Sequence, residues 1–147
     1  MNIDLEVFFM KKPLDIDNAM ASQGFDLEDV TSPGEGRRID FETREYLYFD
    51  EKKSSRGVEF IYEDGMGMEE KELLGGVIPN PDSIVALGIL SRHHTANSYD
   101  FEKHFETARF LKSRYNAIIY DPDEREIWDD WFHIKLNFTQ IFKNNEF

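Results

Sequence analysis

The sequence predicts one α+β domain over residues 1–147: a two-layer, ferredoxin-like sandwich with two helices on one face of a mainly antiparallel sheet. The chain is 40% hydrophobic and 14% aromatic despite a net charge of -13, so it has enough apolar material to fold. Its β-rich and helical runs follow in the order strand, helix, strands, helix, strand. No repeat or linker interrupts this order, which favours a single domain.

The first elements follow from periodicity and turn residues. Residues 3–9 alternate apolar and acidic side chains and then become wholly apolar, which predicts a strand with one partly wet face. Pro13 ends this run, and residues 14–24 predict a short helix that stops at Gly24. The acidic, turn-rich stretch 25–38 predicts a loop.

The middle of the chain predicts a hairpin and a central strand. Residues 45–50 and 57–62 are β-rich and are separated by a polar stretch, so they are expected to pair antiparallel. Residues 66–74 predict one or two helical turns. The nearly continuous apolar run 83–90 predicts a central strand covered on both faces.

The clearest helix is predicted over 99–115, where apolar residues recur at three- and four-residue spacing. Asn97, Ser98 or Asp100 is expected to cap its start. The short apolar run 116–120 predicts another strand. Strand, helix and strand together predict a crossover unit within one sheet.

Residues 127–147 are predicted to form an aromatic-rich extension docked on the domain. One apolar set lies on alternate positions and favours a strand: Phe132, Ile134, Leu136 and Phe138. Another set shares one side of a helix: Trp128, Trp131, Phe138 and Phe142. The pattern leaves both alternatives open and favours the strand.

Charge and cysteine content exclude several function classes. The chain has no cysteine, which excludes disulfides and thiolate sites and favours a reducing, cytoplasmic location. The first ten residues carry no basic residue, unlike a signal peptide, and no run is long enough to span a membrane. The negative charge disfavours binding to nucleic acid or anionic membranes and favours a basic protein partner. Solubility alone also accounts for acidity of this kind.

Four residues form the sequence's candidate ligand-binding site: Ser91, His93, His94 and His104. Strand ends that feed helices often carry sites, and histidine is readily tuned for proton transfer. However, adjacent histidines on a strand point to opposite faces, and no metal-binding spacing is present. His104 also lies at the margin of its helix's apolar stripe, which favours a structural role. We therefore expect no metal site and no cofactor.

Acidic and aromatic residues form the candidate partner-binding site. Phe110 lies on the helix side opposite Phe101, and the acidic segment 121–130 runs into an aromatic tail. A solvated acidic turn is favoured over a metal site or a pair of catalytic carboxylates. We hypothesise that the aromatic residues cover Phe110 or anchor a partner or a second copy of the chain. The candidate residues are Phe110, Asp123, Glu124, Trp128, Asp129, Asp130, Trp131 and Phe132.

No catalytic motif is present, so the sequence favours a non-catalytic acidic protein-binding module. In size, acidity and mixed α+β pattern the chain resembles small bacterial immunity proteins. That resemblance implies an inhibitor that neutralises a basic toxin or nuclease. The alternatives are a small-ligand-binding protein or enzyme with a pocket near Ser91 and His104, and a phage-type decoy that mimics nucleic acid.

Overall fold

The computed structural model describes residues 2–34, 41–53 and 55–128, and within them the chain is α+β. The strands are β1 (Asn2–Phe9), β2 (Asp26–Thr31), β3 (Thr43–Tyr48), β4 (Val58–Glu63), β5 (Ala86–His93), β6 (Ile118–Asp121) and β7 (Glu126–Ile127). The α-helices are α1 (Ile16–Ser22), α2 (Met68–Leu74) and α3 (Ser98–Tyr115). Short 3-10 turns occupy Glu51–Lys53 and Pro81–Ser83.

All seven described strands form one antiparallel sheet in the order β2-β3-β4-β5-β1-β6-β7. The predicted hairpin is β3 and β4. Strands β5 and β6 both pair antiparallel with β1, so they run parallel to each other with α3 as the connection between them. This confirms the predicted crossover within one sheet.

One face of the sheet packs against α1 and α3. The alternation of β1 directs Leu5, Val7 and Phe9 into this core, as a two-residue side-chain period requires. The two helices contact each other directly, since the Tyr115 hydroxyl donates a 2.8 Å hydrogen bond to Asp15 Oδ1. The Asn97 side chain caps α3 by accepting from the Asp100 backbone N–H, which is one of the caps that the sequence predicted.

Of the described residues, those that cover the opposite face lie at one end of it. There Phe8 packs with Ile78 and Ile84, and Leu74 of α2 lies against this second cluster. The apolar run 83–90 was predicted to be covered on both faces. On this second face Leu87 packs against the cluster, but Leu87 and Ile89 are both half-buried, so the cover is partial.

Gly88 in β5 explains how a large ring fits onto the sheet. The Phe60 ring lies over this residue so closely that a Cβ atom added to Gly88 would lie 2.5 Å from Phe60 Cε1. A glycine within a strand commonly marks such a close approach. Any side chain here would displace a fully buried aromatic ring.

The loop predicted over 25–38 is wrong where β2 forms. Residues 26–31 pair with β3 along the sheet edge, and a register shift lies between Leu27 and Asp29. This edge strand buries almost none of its side chains, so its sequence lacks the alternation of apolar and polar residues that predicts a strand. Beyond Trp128, the predicted tail lies outside the described residues.

Candidate functional site

The uncovered part of the second sheet face carries rows of carboxylates that come from strands far apart in sequence. Along one row, Glu59 pairs with Ser91, and Ser91 pairs with Asp4. The next row runs from Glu45 through a pair of isoleucines to Glu6. We call this surface the acidic sheet face and define it by Asp4, Glu6, Glu45, Glu59, Ile61 and Ile89.

Ile61 and Ile89 form the centre of the acidic sheet face. They are paired directly across β4 and β5, and both are half-buried. Glu45 and Glu6 flank them along the row. The arrangement is a small apolar centre with a charged surround, which is the organisation of many protein interfaces.

Two glutamates of the acidic sheet face, Glu6 and Glu59, have raised pKa values. Burial raises the pKa of Glu6, and the charges of Asp4 and Glu70 raise it further. Burial likewise raises the pKa of Glu59, with added repulsion from Glu45 and Asp4. Both shifts mean that burial and the neighbouring negative charges disfavour the ionised form of these two glutamates.

Ion pairs in the described part of the chain lie elsewhere, and none involves Asp4, Glu6, Glu45 or Glu59. Asp4 does accept a 2.6 Å hydrogen bond from the Ser91 hydroxyl. Among the described residues, the acidic sheet face is therefore a patch of carboxylates that form no ion pairs. It costs stability through self-repulsion, and a basic surface docked on it would relieve that cost.

A second feature, which we call the Arg92 cleft, lies on the helix side of the sheet. Its volume is about 230 Å³. Apolar and aromatic side chains account for half of its lining, and charged or polar groups for the rest. The lining residues are Ile3, Leu5, Arg92, Phe101, His104, Phe105, Asp121, Asp123, Glu124 and Trp128.

Arg92 is held in this cleft by an aromatic ring rather than by an ion pair. Its guanidinium carbon lies 4.5 Å from the Phe101 ring centroid. Within the described residues its Nε atom is buried without a hydrogen-bond partner, and no ion pair includes it. Burial lowers the pKa of Arg92, and Asp100 opposes this effect. The Asp100 carboxylate itself accepts from the Ser55 hydroxyl and the Arg56 backbone N–H.

His104 is a buried structural group at the cleft wall. Its Nε2 lies 2.7 Å from the Leu90 carbonyl oxygen. A carbonyl can only accept, so Nε2 carries the proton and Nδ1 remains an acceptor. Burial lowers the pKa of His104 to about 3, and the neighbouring Arg92 charge acts in the same direction.

The structure separates the four residues of the predicted ligand site. Ser91 is hydrogen-bonded to Asp4 on the acidic sheet face, whereas His104 contacts the helix side. The chain turns after His93, so the rings of His93 and His94 lie 4.5 Å apart rather than on opposite faces. No group of three or more metal-ligating side chains occurs among the residues that the structure describes.

The predicted partner-binding residues also lie in different environments. Trp128 is buried and stacks on Phe105 with ring centroids 4.8 Å apart, so its indole belongs to the core. Phe110 is half-buried against the same core cluster. Asp123 and Glu124 are exposed in the turn between β6 and β7. The remaining candidates, Asp129, Asp130, Trp131 and Phe132, lie outside the described residues.

Sequence reasoning missed the acidic sheet face and Arg92. A signal for the former exists, since Asp4 and Glu6 alternate with apolar residues in the first strand. The strand order that brings Glu45 and Glu59 beside them has no such local signal.

No helix in the described ranges has both the length and the hydropathy that a membrane span requires. Comparisons with protein-family models, with curated proteins and with solved structures find no match.

Proposed function

We propose that the protein is a non-catalytic binding module whose acidic sheet face docks on a basic protein. The observation that carries this proposal is the apolar pair Ile61 and Ile89, set on a regular sheet between carboxylates that form no ion pair with any residue that the structure describes. An apolar centre supplies binding energy and slows dissociation, while surrounding charges speed association and select the partner.

The partner we propose is a basic toxin or nuclease, which the protein neutralises as an immunity-type inhibitor. Such enzymes present cationic surfaces to their substrates, and a rigid acidic face complements them. A strand-built surface is preorganised, so little conformational entropy is lost on docking. We place this binding in the cytoplasm, in keeping with the absence of cysteine.

The first test compares two variants that lose the same charge. The face variant carries Asp4→Asn, Glu6→Gln, Glu45→Gln and Glu59→Gln. The control variant neutralises four exposed acids elsewhere: Glu51, Glu72, Asp82 and Glu106. Each protein is used to capture partners from its own organism at low and high salt. We expect wild type and control to retain a basic protein of pI above about 9 that the face variant and high salt release.

The second test measures binding kinetics and enzyme inhibition with the captured protein. The face variant should slow association and flatten its salt dependence, whereas Ile61→Ala should mainly speed dissociation. Inhibition of a nuclease or toxin activity should follow the same order. Equal binding by the face and control variants would place the interface elsewhere. If DNA competes with this protein for the captured partner, that result would instead favour the alternative of a nucleic-acid mimic.

Two further variants test whether the acidic and aromatic tail residues belong to the interface. If they belong to the interface, Trp131→Ala should speed dissociation, and Asp129→Asn with Asp130→Asn should slow association. Wild-type kinetics in both variants would restrict the interface to the acidic sheet face.

For the fold, we propose that β6, β1, β5 and β4 with α1 and α3 constitute a ferredoxin-like unit. Their order in the sheet and their antiparallel pairing support this proposal. On this view β2, β3 and β7 extend the sheet at its two edges, and α2 is an addition on the opposite face.

A further inference from the structure

The Arg92 cleft combines features that a small ligand site requires. Its volume of about 230 Å³ compares with the ~150 Å³ cavity that holds a benzene ring. The cleft therefore has room for a ring or branched chain with a short polar arm. Leu5, Phe101, Phe105 and Trp128 provide the apolar surface that such a body would contact.

The charged groups of the cleft define the polar ends of the ligand. Arg92 is half-buried against the Phe101 ring and forms no ion pair with a described residue, although the charge of Asp100 acts on it. A planar guanidinium binds a carboxylate through two parallel hydrogen bonds. Asp121, Asp123 and Glu124 line the same cleft and would attract an ammonium group. The partial burial of Arg92 strengthens its interaction with a carboxylate, whereas the exposed Asp123 and Glu124 attract an ammonium group more weakly.

Net charge decides between an anion and a zwitterion. The chain carries -13, so a simple anion approaches against the field of the whole protein. A simple cation would have to lie near Arg92. A zwitterion is neutral overall, and the cleft lining offers a group of opposite sign to each of its two charges.

We propose that the Arg92 cleft binds a small zwitterion, with its carboxylate on Arg92, its ammonium facing the three acids and its apolar body on the aromatic floor. Amino acids with apolar side chains belong to this class. The cleft lies on the helix side of the sheet, so this proposal stands or falls independently of the acidic sheet face.

Titration calorimetry with defined probes tests the proposal. The zwitterions are L-phenylalanine, L-leucine and 4-(aminomethyl)benzoate, which differ in the spacing of their charges. Phenylacetate and phenethylamine each lack one charge. We expect at least one zwitterion to bind with a Kd below about 1 mM and about tenfold more tightly than either singly charged probe. Failure of all three zwitterions, or equal binding of a singly charged probe, would refute the proposal.

Matched variants locate the site. Arg92→Gln should weaken binding at least about tenfold, while Arg56→Gln, which removes an exposed guanidinium outside the cleft, should leave it unchanged. Asp123→Asn with Glu124→Gln should also weaken it. If Arg92→Gln fails to fold, NMR of the wild-type protein replaces it as the test, and the backbone amide chemical shifts are compared before and after the zwitterion is added. Changes at Leu5, Phe101 and Trp128 would support binding in the cleft, whereas changes confined to other regions would refute it.

Discussion

The strongest prediction concerns the pH dependence of stability that His104 imposes. Its ring is fully enclosed between α3 and β5 and has a pKa of about 3, compared with 6.5 for an exposed histidine. The native state therefore binds a proton less readily than the unfolded state. The resulting stability is fully present above the unfolded pKa and is lost as pH falls from there towards the native pKa.

The magnitude follows from linkage. At about pH 4.5 the solvent is two pH units below the pKa of the unfolded histidine, and protonation of the unfolded state lowers the free energy of unfolding by roughly 2–3 kcal/mol relative to pH 8. His104→Gln retains an N–H donor for the Leu90 carbonyl but cannot titrate. The variant should therefore lose roughly 2–3 kcal/mol less than wild type between these two pH values.

Urea unfolding followed by circular dichroism at both pH values measures this difference. His94→Gln is the matched control, since it makes the same substitution at an exposed histidine. Glu6 and Glu59, with raised pKa values, oppose the histidine effect, but both proteins carry them and their contribution cancels. An unchanged pH dependence in His104→Gln would show that the imidazole is protonated or exposed in the native state.

Two further predictions concern packing and charge. Phe105→Ala should cost about 3–5 kcal/mol, because the ring is buried and contacts both Phe101 and Trp128. The control is Phe49→Ala, at a ring that is 57% exposed, and it should cost under about 0.5 kcal/mol. Equal urea midpoints for the Phe105→Ala and Phe49→Ala variants would refute the placement of Phe105 in the core. Glu59→Gln should raise Tm slightly at low salt, because it removes repulsion from Glu45 and Asp4. This gain in Tm should shrink at high salt, which screens the charges. A Tm below that of the wild type would show that the Glu59 carboxylate has an attractive partner.

The elements with strong local signals could be predicted from the sequence. The alternation in residues 3–9 predicts β1, and the spacing of apolar residues in 99–115 predicts α3, because strand and helix periods are properties of consecutive residues. The absence of cysteine and the acidity are likewise properties of composition. The predicted α+β class rests on these signals, and the structure confirms it.

Strand order and long-range contacts required the tertiary structure. The loop prediction failed at β2 because an edge strand is stabilised by hydrogen bonds to its neighbour and not by a buried face. Asp4 and Glu59 share a row only because β1 and β4 both pair with β5. Arg92, His104 and Trp128 line one cleft because the sheet and α3 bring together residues distant in the chain. Local patterns determine which elements form, whereas packing between distant elements determines which side chains share a site.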